Sequence, residues 1–155
     1  MSLDVRPARA EDGPRLVELR REAGWDADAV PSWFSAVQRH ERAMWVAEEG
    51  GQVVAMVALD FVDEDPEVAD GRSTAAITSL AVTQAAAGRG LGRALTLFAE
   101  AQAKAHGVQT LTLNTKPTNA AALALYQGLG YRPFKEEARS WGQAVFLRKH
   151  LGEVP

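Results

Sequence analysis

The chain has 155 residues, 46% hydrophobic and 24% charged, which is ordinary for one soluble globular domain. Cysteine is absent, which excludes disulfides, thiolate metal sites and a cysteine nucleophile, and the net charge of −3 argues against a nucleic-acid partner. The sequence lacks a membrane-length apolar run, a secretion signal and histidines at metal-ligand spacing. We therefore expect one domain over residues 1–155, a cytoplasmic location, no metal site, and no nucleic-acid or membrane partner.

The first half of the chain is predicted to form two helices and then a run of strands. Residues 3–7 alternate between apolar and polar side chains, which indicates an initial strand, and the acids and proline after Ala10 open a helix that extends to about Gly24. A second helix is expected over residues 28–40, followed by strands over residues 43–48, 52–61 and 74–83. The two glycines after Glu49 are typical of a tight hairpin.

The second half begins with the longest predicted helix, over residues 88–106. Its expected apolar face comprises Leu91, Ala94, Leu95, Phe98, Ala101 and Ala105. Glu100 and Lys104 are expected to pair on its exposed side. The remaining elements are a strand over residues 109–114, a helix over 119–129, and strands over 131–134 and 140–147. This order of elements indicates one mixed sheet with helices on its faces.

A glycine turn, Gly88-Arg89-Gly90-Leu91-Gly92-Arg93, lies between a strand and the longest helix. About four amides at a helix start lack an internal acceptor, and the helix dipole adds roughly half a positive charge there. Glycines let a phosphate approach those amides, and the two arginines would add charge-assisted hydrogen bonds. The spacing does not fit GxGxxG or a P-loop. The glycines could instead only cap the helix, but three at alternating positions beside two arginines favour an anion site.

A second segment points to a binding groove on the following helix. Asn119 and Tyr126 are seven residues apart, which places them on one helix face within about 20° of each other, with the small Ala122 between them. A thin acyl chain could lie along this stripe. Taken alone, an N-cap role for Asn119 and a core role for Tyr126 are the better interpretation.

Together, these segments resemble the motifs of the GNAT N-acetyltransferase superfamily. Leu80-Ala81-Val82 followed by residues 88–95 resembles motif A, and residues 119–126 with 129–131 resemble motif B. The resemblance covers residues 77–134. It implies the GNAT fold, an α/β (α+β) single domain with a mixed, mostly antiparallel sheet of about six or seven strands, about four helices on its faces, and splayed fourth and fifth strands.

The resemblance also implies acetyl-CoA as co-substrate and a set of residues that bind it. The backbone of residues 80–82 would pair with the pantetheine arm, the glycine turn would bind the pyrophosphate, Asn119 would bond the pantetheine, and Tyr126, the catalytic residue, would face the thioester sulfur. The complete cofactor-binding set is Leu80, Ala81, Val82, Ala87, Gly88, Arg89, Gly90, Leu91, Gly92, Arg93, Asn119 and Tyr126.

Two positions depart from the family pattern. Ala87 stands where the family usually has Gln or Arg, so one side-chain contact to the cofactor is missing. Thr78-Ser79 stands where many members have a glutamate that acts as general base. The base is therefore unassigned, with Asp60, the acids after it and bulk solvent as candidates.

The expected reaction is direct attack by a neutral amine on the thioester, since neither a cysteine nor a GxSxG serine is present to carry an acyl group. Backbone amides near residues 80–82 would stabilise the developing oxyanion. Tyr126 would hydrogen-bond the departing thiolate. Full proton transfer is less favourable, because a phenol is a weaker acid than a thiol by about 1.5 pKa units.

The acceptor amine is predicted from the charge and aromatic residues. Six carboxylates and no base lie between Asp60 and Asp70, which favours a cationic small molecule, although a solvated mobile loop is the better explanation of these acids. Four aromatic residues could line an acceptor pocket: Trp25, Trp33, Phe34 and Trp141. At least two of the four are expected in the core. Peptide amines, an acyl-CoA-binding sensor and an unrelated phosphate-binding domain remain alternatives. An exposed strand edge at the C-terminus suggests a possible homodimer.

Overall fold

A computed structural model of the protein describes residues 3–152. The strands are β1 (Asp4–Pro7), β2 (Arg42–Glu49), β3 (Gln52–Asp60), β4 (Thr74–Val82), β5 (Thr110–Thr115), β6 (Arg132–Arg139) and β7 (Gly142–His150). The α-helices are α1 (Gly13–Glu22), α2 (Val30–Gln38), α3 (Leu91–Ala105) and α4 (Ala120–Gly128). Short 3-10 helices at Ala10–Asp12 and Gln84–Ala86 precede α1 and α3. Among the described helices, none combines the length and hydropathy needed to cross a membrane.

The strands form one seven-stranded sheet in the order β1-β2-β3-β4-β5-β7-β6. β4 and β5 are parallel, and the other neighbouring strands pair antiparallel. The predicted order of elements and the mixed, mostly antiparallel sheet are therefore confirmed. The last strand, β7, lies between β5 and β6, so the C-terminal strand is not the sheet edge that the sequence suggested. The edges are β1 and β6, because the β6–β7 hairpin inserts its second strand beside β5.

The helices cover the two faces of the sheet. α3 and α4 pack on one face, over a core cluster that contains Leu95, Leu111 and Tyr131. α1 and α2 pack on the other face, over a cluster that contains Leu16 and Met56. The sheet is thus buried on both sides in its centre, which explains the nearly unbroken apolar sequence of β3.

The buried face of α3 differs from the predicted one. Its buried residues are Leu95, Thr96, Ala99, Glu100 and Ala103, whereas the predicted Ala94, Ala101 and Ala105 are exposed. Leu95 was predicted correctly, and Leu91 and Phe98 are partly buried against the core. The prediction counted only apolar residues, but the buried face also includes polar ones. Thr96 can be buried because its hydroxyl donates a hydrogen bond to the Gly92 carbonyl at 2.7 Å.

The prediction that Glu100 pairs with Lys104 on the exposed side was wrong. Glu100 is 7% exposed. Its carboxylate accepts hydrogen bonds from the Tyr131 hydroxyl at 2.9 Å and from the Lys149 ammonium at 2.8 Å. These long-range partners on the chain before β6 and on β7 pull the carboxylate into the core, where an unpaired charge would be costly.

Candidate active site

Strands β4 and β5 pair at their beginnings and then separate. Their register runs from Thr74 opposite Thr110 to Ala76 opposite Thr112. Beyond this point β4 continues to pair with β3. A β-bulge accompanies the separation, since Ser79 has a φ of +54° and the register against β3 shifts between Met56 and Ala58. The expected splay is present, and the β5-facing edge of β4 has no strand partner from Ile77 onward in the part of the chain described.

A cavity of about 650 Å³ opens at this gap. Its walls come from the end of α1, the splayed strands, the start of α4 and the β6–β7 turn, and they include Arg20, Trp25, Leu80, Asn119, Tyr126 and Trp141. Elements from both faces of the sheet therefore meet in one space. A substrate bound to α4 and one bound beside α1 could contact each other through the gap.

The glycine turn presents a row of free backbone amides outside this cavity. α3 begins at Leu91, three residues later than predicted, with Gly90 as its N-cap. Gly88 and Gly90 have φ values of +78° and +77°, which L side chains rarely adopt. Within residues 3–152, none of the amides of residues 88–93 donates a hydrogen bond to another protein group. These amides at a helix N-terminus form a site suited to an anion.

The two arginines of the turn differ in their surroundings. The Arg89 guanidinium pairs with the Glu49 carboxylate at 3.0 Å, so it faces the β2–β3 hairpin. Arg93 is exposed and makes no ion pair among the described residues. Of the two side chains, Arg93 is the one whose charge is available to a ligand without breaking an existing pair.

Glu22, which sequence reasoning missed, ties α1 to the segment before the turn. Its carboxylate accepts from the Thr83 hydroxyl at 2.9 Å and from the Gln84 amide at 3.2 Å. These bonds hold the pKa of Glu22 below its ordinary value. The carboxylate lies 61 residues from Thr83 in sequence, and no local motif indicates the contact. It fixes the chain between β4 and the glycine turn.

The stripe on α4 forms part of the cavity wall. Asn119, Ala122 and Tyr126 all contribute to its wall. Asn119 is the N-cap of α4, and its side-chain oxygen accepts from the Ala122 amide at 3.1 Å. Capping uses the oxygen, so the amide nitrogen of Asn119 stays available as a donor. The capping and binding interpretations of Asn119 are therefore compatible.

Tyr126 lies in an apolar setting that keeps its phenol protonated. Its ring packs edge-on against the ring of Tyr131, with centroids 6.1 Å apart. Burial raises the pKa of Tyr126 above its ordinary value. Burial together with the neighbouring Glu100 carboxylate also raises the pKa of Tyr131. A phenol of raised pKa donates a hydrogen bond at neutral pH but releases its proton reluctantly.

A buried arginine occupies the region where the family glutamate is missing. Arg42 donates to Asp60 Oδ1 at 2.6 Å, to the Thr78 hydroxyl at 3.0 Å and to the Ser79 hydroxyl at 2.9 Å. It is 7% exposed, and its Nε is buried without an acceptor in the described residues. Asp60 is thus held in an ion pair, which weakens its case as the general base. The sequence signal for Arg42 is a charged residue directly before the apolar run of β2, residues 43–47.

The acidic segment after Asp60 lies outside the cavity. Lys135 pairs with the carboxylates of Asp65, Glu67 and Glu137. Val68 packs against Phe146 on the sheet. Two carboxylates of the segment, Asp65 and Glu67, thus anchor the loop to β6, and none of those between residues 63 and 70 lines the cavity.

The four aromatic residues divide into two pairs. Trp25 and Trp141 line the cavity and are 41% and 46% exposed. Trp33 is buried, and Phe34 packs against the same core cluster. The expectation that at least two of the four belong to the core is confirmed.

The structure distributes the predicted cofactor-binding residues over two adjoining surfaces. Leu80, Asn119 and Tyr126 line the cavity, and residues 87–93 form the turn beyond the end of β4. The side chains of Ala81 and Val82 pack into the core. At these two positions only the backbone is left to contact a ligand.

Sequence and structure comparisons relate this arrangement to known proteins. The profile of the acetyltransferase (GNAT) family matches residues 10–131. N-acetyltransferase family 8 member 2 of Rattus norvegicus is 34% identical over 106 residues, 68% of this chain and 44% of that protein. The chain thus matches less than half of that relative's length.

Two solved structures share the fold. An N-acetyltransferase from Staphylococcus aureus Mu50 superposes with a TM-score of 0.82 at 21% identity and covers 98% of this chain and 100% of that one. The structure of yncA from Salmonella typhimurium with its cofactor acetyl-CoA gives 0.81 at 22% identity, covering 100% and 97%. With the family profile spanning most of the sequence, and with the splayed strands and glycine turn in place, the chain belongs to the GNAT acetyltransferase family.

Proposed function

We propose that the protein transfers the acetyl group of acetyl-CoA to a primary amine. The observation that carries the proposal is the row of free amides at residues 88–93, next to a cavity that opens between splayed strands. The diphosphate of acetyl-CoA needs several convergent donors, and the arm that carries its thioester needs an apolar channel that ends beside a hydrogen-bond donor. The two surfaces together supply both.

The residues present fit this co-substrate. A Cβ at Gly88 or Gly90 would meet no atom within 4 Å, so the space in front of the turn is open to a ligand. Arg93 would add charge, the free edge of β4 would pair with the amide groups of the arm, and Asn119 would donate from its amide nitrogen. Ala87 adds no side-chain contact, so the backbone amides carry the binding at the turn.

When bound, acetyl-CoA supplies an activated acyl group. The chain's own contribution is to position the thioester beside the Tyr126 hydroxyl and to shield it within the cavity. Because burial raises the pKa of Tyr126, we assign this residue hydrogen bonding to the leaving sulfur rather than complete proton donation. The amine must lose a proton before it attacks, and Asp26 is a carboxylate in the cavity wall that could accept it.

The proposed acceptor is a primary amine, without a further chemical class. The cationic class was predicted from the acidic segment between Asp60 and Asp70, and none of its carboxylates lines the cavity; Asp65 and Glu67 pair with Lys135 instead. A single domain over residues 1–155, a homodimer and a cytoplasmic location stay predictions.

The proposal is tested by calorimetry with CoA and by thiol release from acetyl-CoA with a panel of amines. We expect CoA to bind and at least one primary amine to stimulate thiol release. Binding without release for any amine would favour the sensor alternative. Absence of CoA binding would leave the glycine turn as a helix cap and overturn the proposal.

A further inference from the structure

Arg20 presents an unused cationic group to the cavity. It lies in the last turn of α1, and its guanidinium carbon is 5.1 Å from the Trp25 ring centroid and 5.2 Å from that of Trp33. Its Nε donates to the Asp26 carbonyl at 2.8 Å. Its two terminal nitrogens have no hydrogen-bond acceptor among residues 3–152. The side chain is therefore held in place while its outer donors stay free.

Arg20 has no ion-pair partner among residues 3–152, although the Asp26 carboxylate attracts its charge from beyond ion-pair distance. Arg42, which shares the Trp33 ring at 4.7 Å, has a carboxylate partner in Asp60. Within the described residues no carboxylate oxygen lies within 4 Å of the Arg20 guanidinium nitrogens. Burial, reinforced by the charge of Arg42, lowers the pKa of Arg20. A partly desolvated cation of this kind gains most from an anionic ligand.

The rest of the cavity lining also favours an anionic ligand. Its charged lining consists of Arg20, Lys116 and Asp26, an excess of positive charge. Lys116 lies 6.0 Å from the Trp141 ring centroid, and Trp141 and Trp25 offer exposed apolar surface. An acceptor that suits this lining combines one negative charge with an apolar body.

We propose that Arg20 binds the carboxylate of the acceptor, and that the acceptor is a free amino acid with an apolar or aromatic side chain. This inference rests on the proposed function and names its substrate class. The amine nitrogen forms the new bond to the acetyl carbon as the carbon–sulfur bond breaks. The ammonium form loses one proton to Asp26 or solvent before the attack, and the nitrogen loses a second proton to solvent once the new bond has formed. The sulfur leaves as the thiolate or, after protonation from solvent, as the thiol.

The same geometry argues against the other acceptor classes. A peptide N-terminus has an amide where a free amino acid has its carboxylate, so it would leave the Arg20 donors unpaired. A polyamine or another polycation would place like charge beside Arg20. Discrimination against an acceptor without the carboxylate is expected to be large, because the charged donors stay desolvated and unpaired.

The test compares amino acids with their amides and with the matching amines, for example L-phenylalanine, L-phenylalaninamide and 2-phenylethylamine, within a panel of the common amino acids. Thiol release gives kcat and KM in the native protein and in Arg20→Met, which keeps an apolar stem for packing on the tryptophans. Arg20→Lys keeps the positive charge but removes the planar guanidinium that can donate two parallel hydrogen bonds to a carboxylate. Arg21→Met is the matched control, since Arg21 is the exposed neighbour on α1 and lies outside the cavity.

We expect Arg20→Met to raise KM for the amino acid by about tenfold to a hundredfold, with kcat/KM for the amide changed less than about twofold. Arg20→Lys should fall between, and Arg21→Met should match the native protein. Ratios between proteins cancel the different intrinsic reactivities of the amines, and equal melting temperatures show that the variants are folded.

Two results separate this inference from the proposed function. Amines without a carboxylate that react as well as the amino acids, or an Arg20→Met variant that loses activity equally with all three acceptors, would overturn the inference and leave acetyl transfer intact. Absence of thiol release with every acceptor would overturn the proposed transfer, and the inference with it.

Discussion

The hydroxyl of Tyr126 illustrates how its surroundings decide what a side chain can do. On α4 it faces the cavity, while its ring packs on Tyr131. The pKa of a phenol rises when burial disfavours the charged form, and this is the direction found here. The protonated, donating form is therefore present below the ordinary value of about 10 and is lost only as pH rises through the higher folded value.

We expect Tyr126→Phe to lower kcat about tenfold or more and to change KM for acetyl-CoA less than about twofold, because the lost hydrogen bond acts on developing sulfur charge. Steady-state thiol release measures both constants. The native protein should show no decline in kcat attributable to Tyr126 below about pH 10. Equal turnover in the two proteins would remove Tyr126 from the mechanism.

Arg42 shows a second residue-scale effect, the replacement of one polar arrangement by another. Thr78 and Ser79 accept hydrogen bonds from Arg42 where many relatives were expected to place a basic glutamate. The guanidinium stabilises the bulge from beneath and holds Asp60 as its counter-ion. The sequence shows that the family glutamate is missing, but only the fold shows that the Arg42 guanidinium lies against Thr78 and Ser79 in its place.

At the scale of elements, the junction of β4 with α3 makes the proposed diphosphate site. Two glycines with positive φ turn the chain, and the amides of residues 88–93 find no protein acceptor within residues 3–152. Glu22 on α1 anchors the preceding segment through Thr83 and Gln84. The site is therefore a backbone structure, and its binding depends more on the path of the chain than on particular side chains.

We expect Gly90→Ala to weaken CoA binding about tenfold or more, because an L residue at φ +77° is strained and relaxation moves the amides out of alignment. Gly107→Ala is the matched control, since Gly107 has a φ of +80° at the other end of α3 and also open space at its Cβ. Both should lose about 1 kcal/mol in free energy of unfolding. Calorimetric titration with CoA would contradict this account if both variants bound like the native protein or lost affinity equally.

At the scale of the whole molecule, the seven-stranded sheet links every element that contributes to the site. The Glu100 carboxylate joins α3 to Tyr131 before β6 and to Lys149 on β7. The cavity draws on α1, both splayed strands, α4 and the β6–β7 turn. For these reasons we propose that residues 1–155 unfold as one unit and that the site is lost with the global fold.

We expect far-UV circular dichroism and tryptophan fluorescence to report a single, coincident thermal transition. CoA at a hundred times its Kd should raise the free energy of unfolding by about 2.7 kcal/mol, since it binds only the folded state. Scans with and without CoA check both points. Two separable transitions would contradict the single-unit proposal, and a transition unaffected by saturating CoA would contradict coupling of the site to the fold.

Local pattern was sufficient for the order of elements, the glycine turn and the α4 stripe. Each depends on residues close in sequence: positive-φ glycines before a helix, or a seven-residue spacing along one. The family resemblance added the splay of β4 and β5. Strand boundaries were less accurate where the sequence gives no clear turn signal. Strand β6, for example, extends to Arg139, although the predicted strand ended at residue 134.

The sequence by itself determined the order of the elements and the position of the glycine turn, because periodicity and glycine conformation are local properties, and its family resemblance indicated the GNAT fold. The anion site at that turn stays a prediction. Tertiary structure decided the charge of the cavity. It buried Glu100 against Lys149, paired the acidic loop with Lys135, gave Arg42 its counter-ion Asp60, and left Arg20 with no ion-pair partner in the part of the chain described. Those outcomes depend on which side chains meet across distant elements, and electrostatic energies follow distance and burial rather than position in the chain.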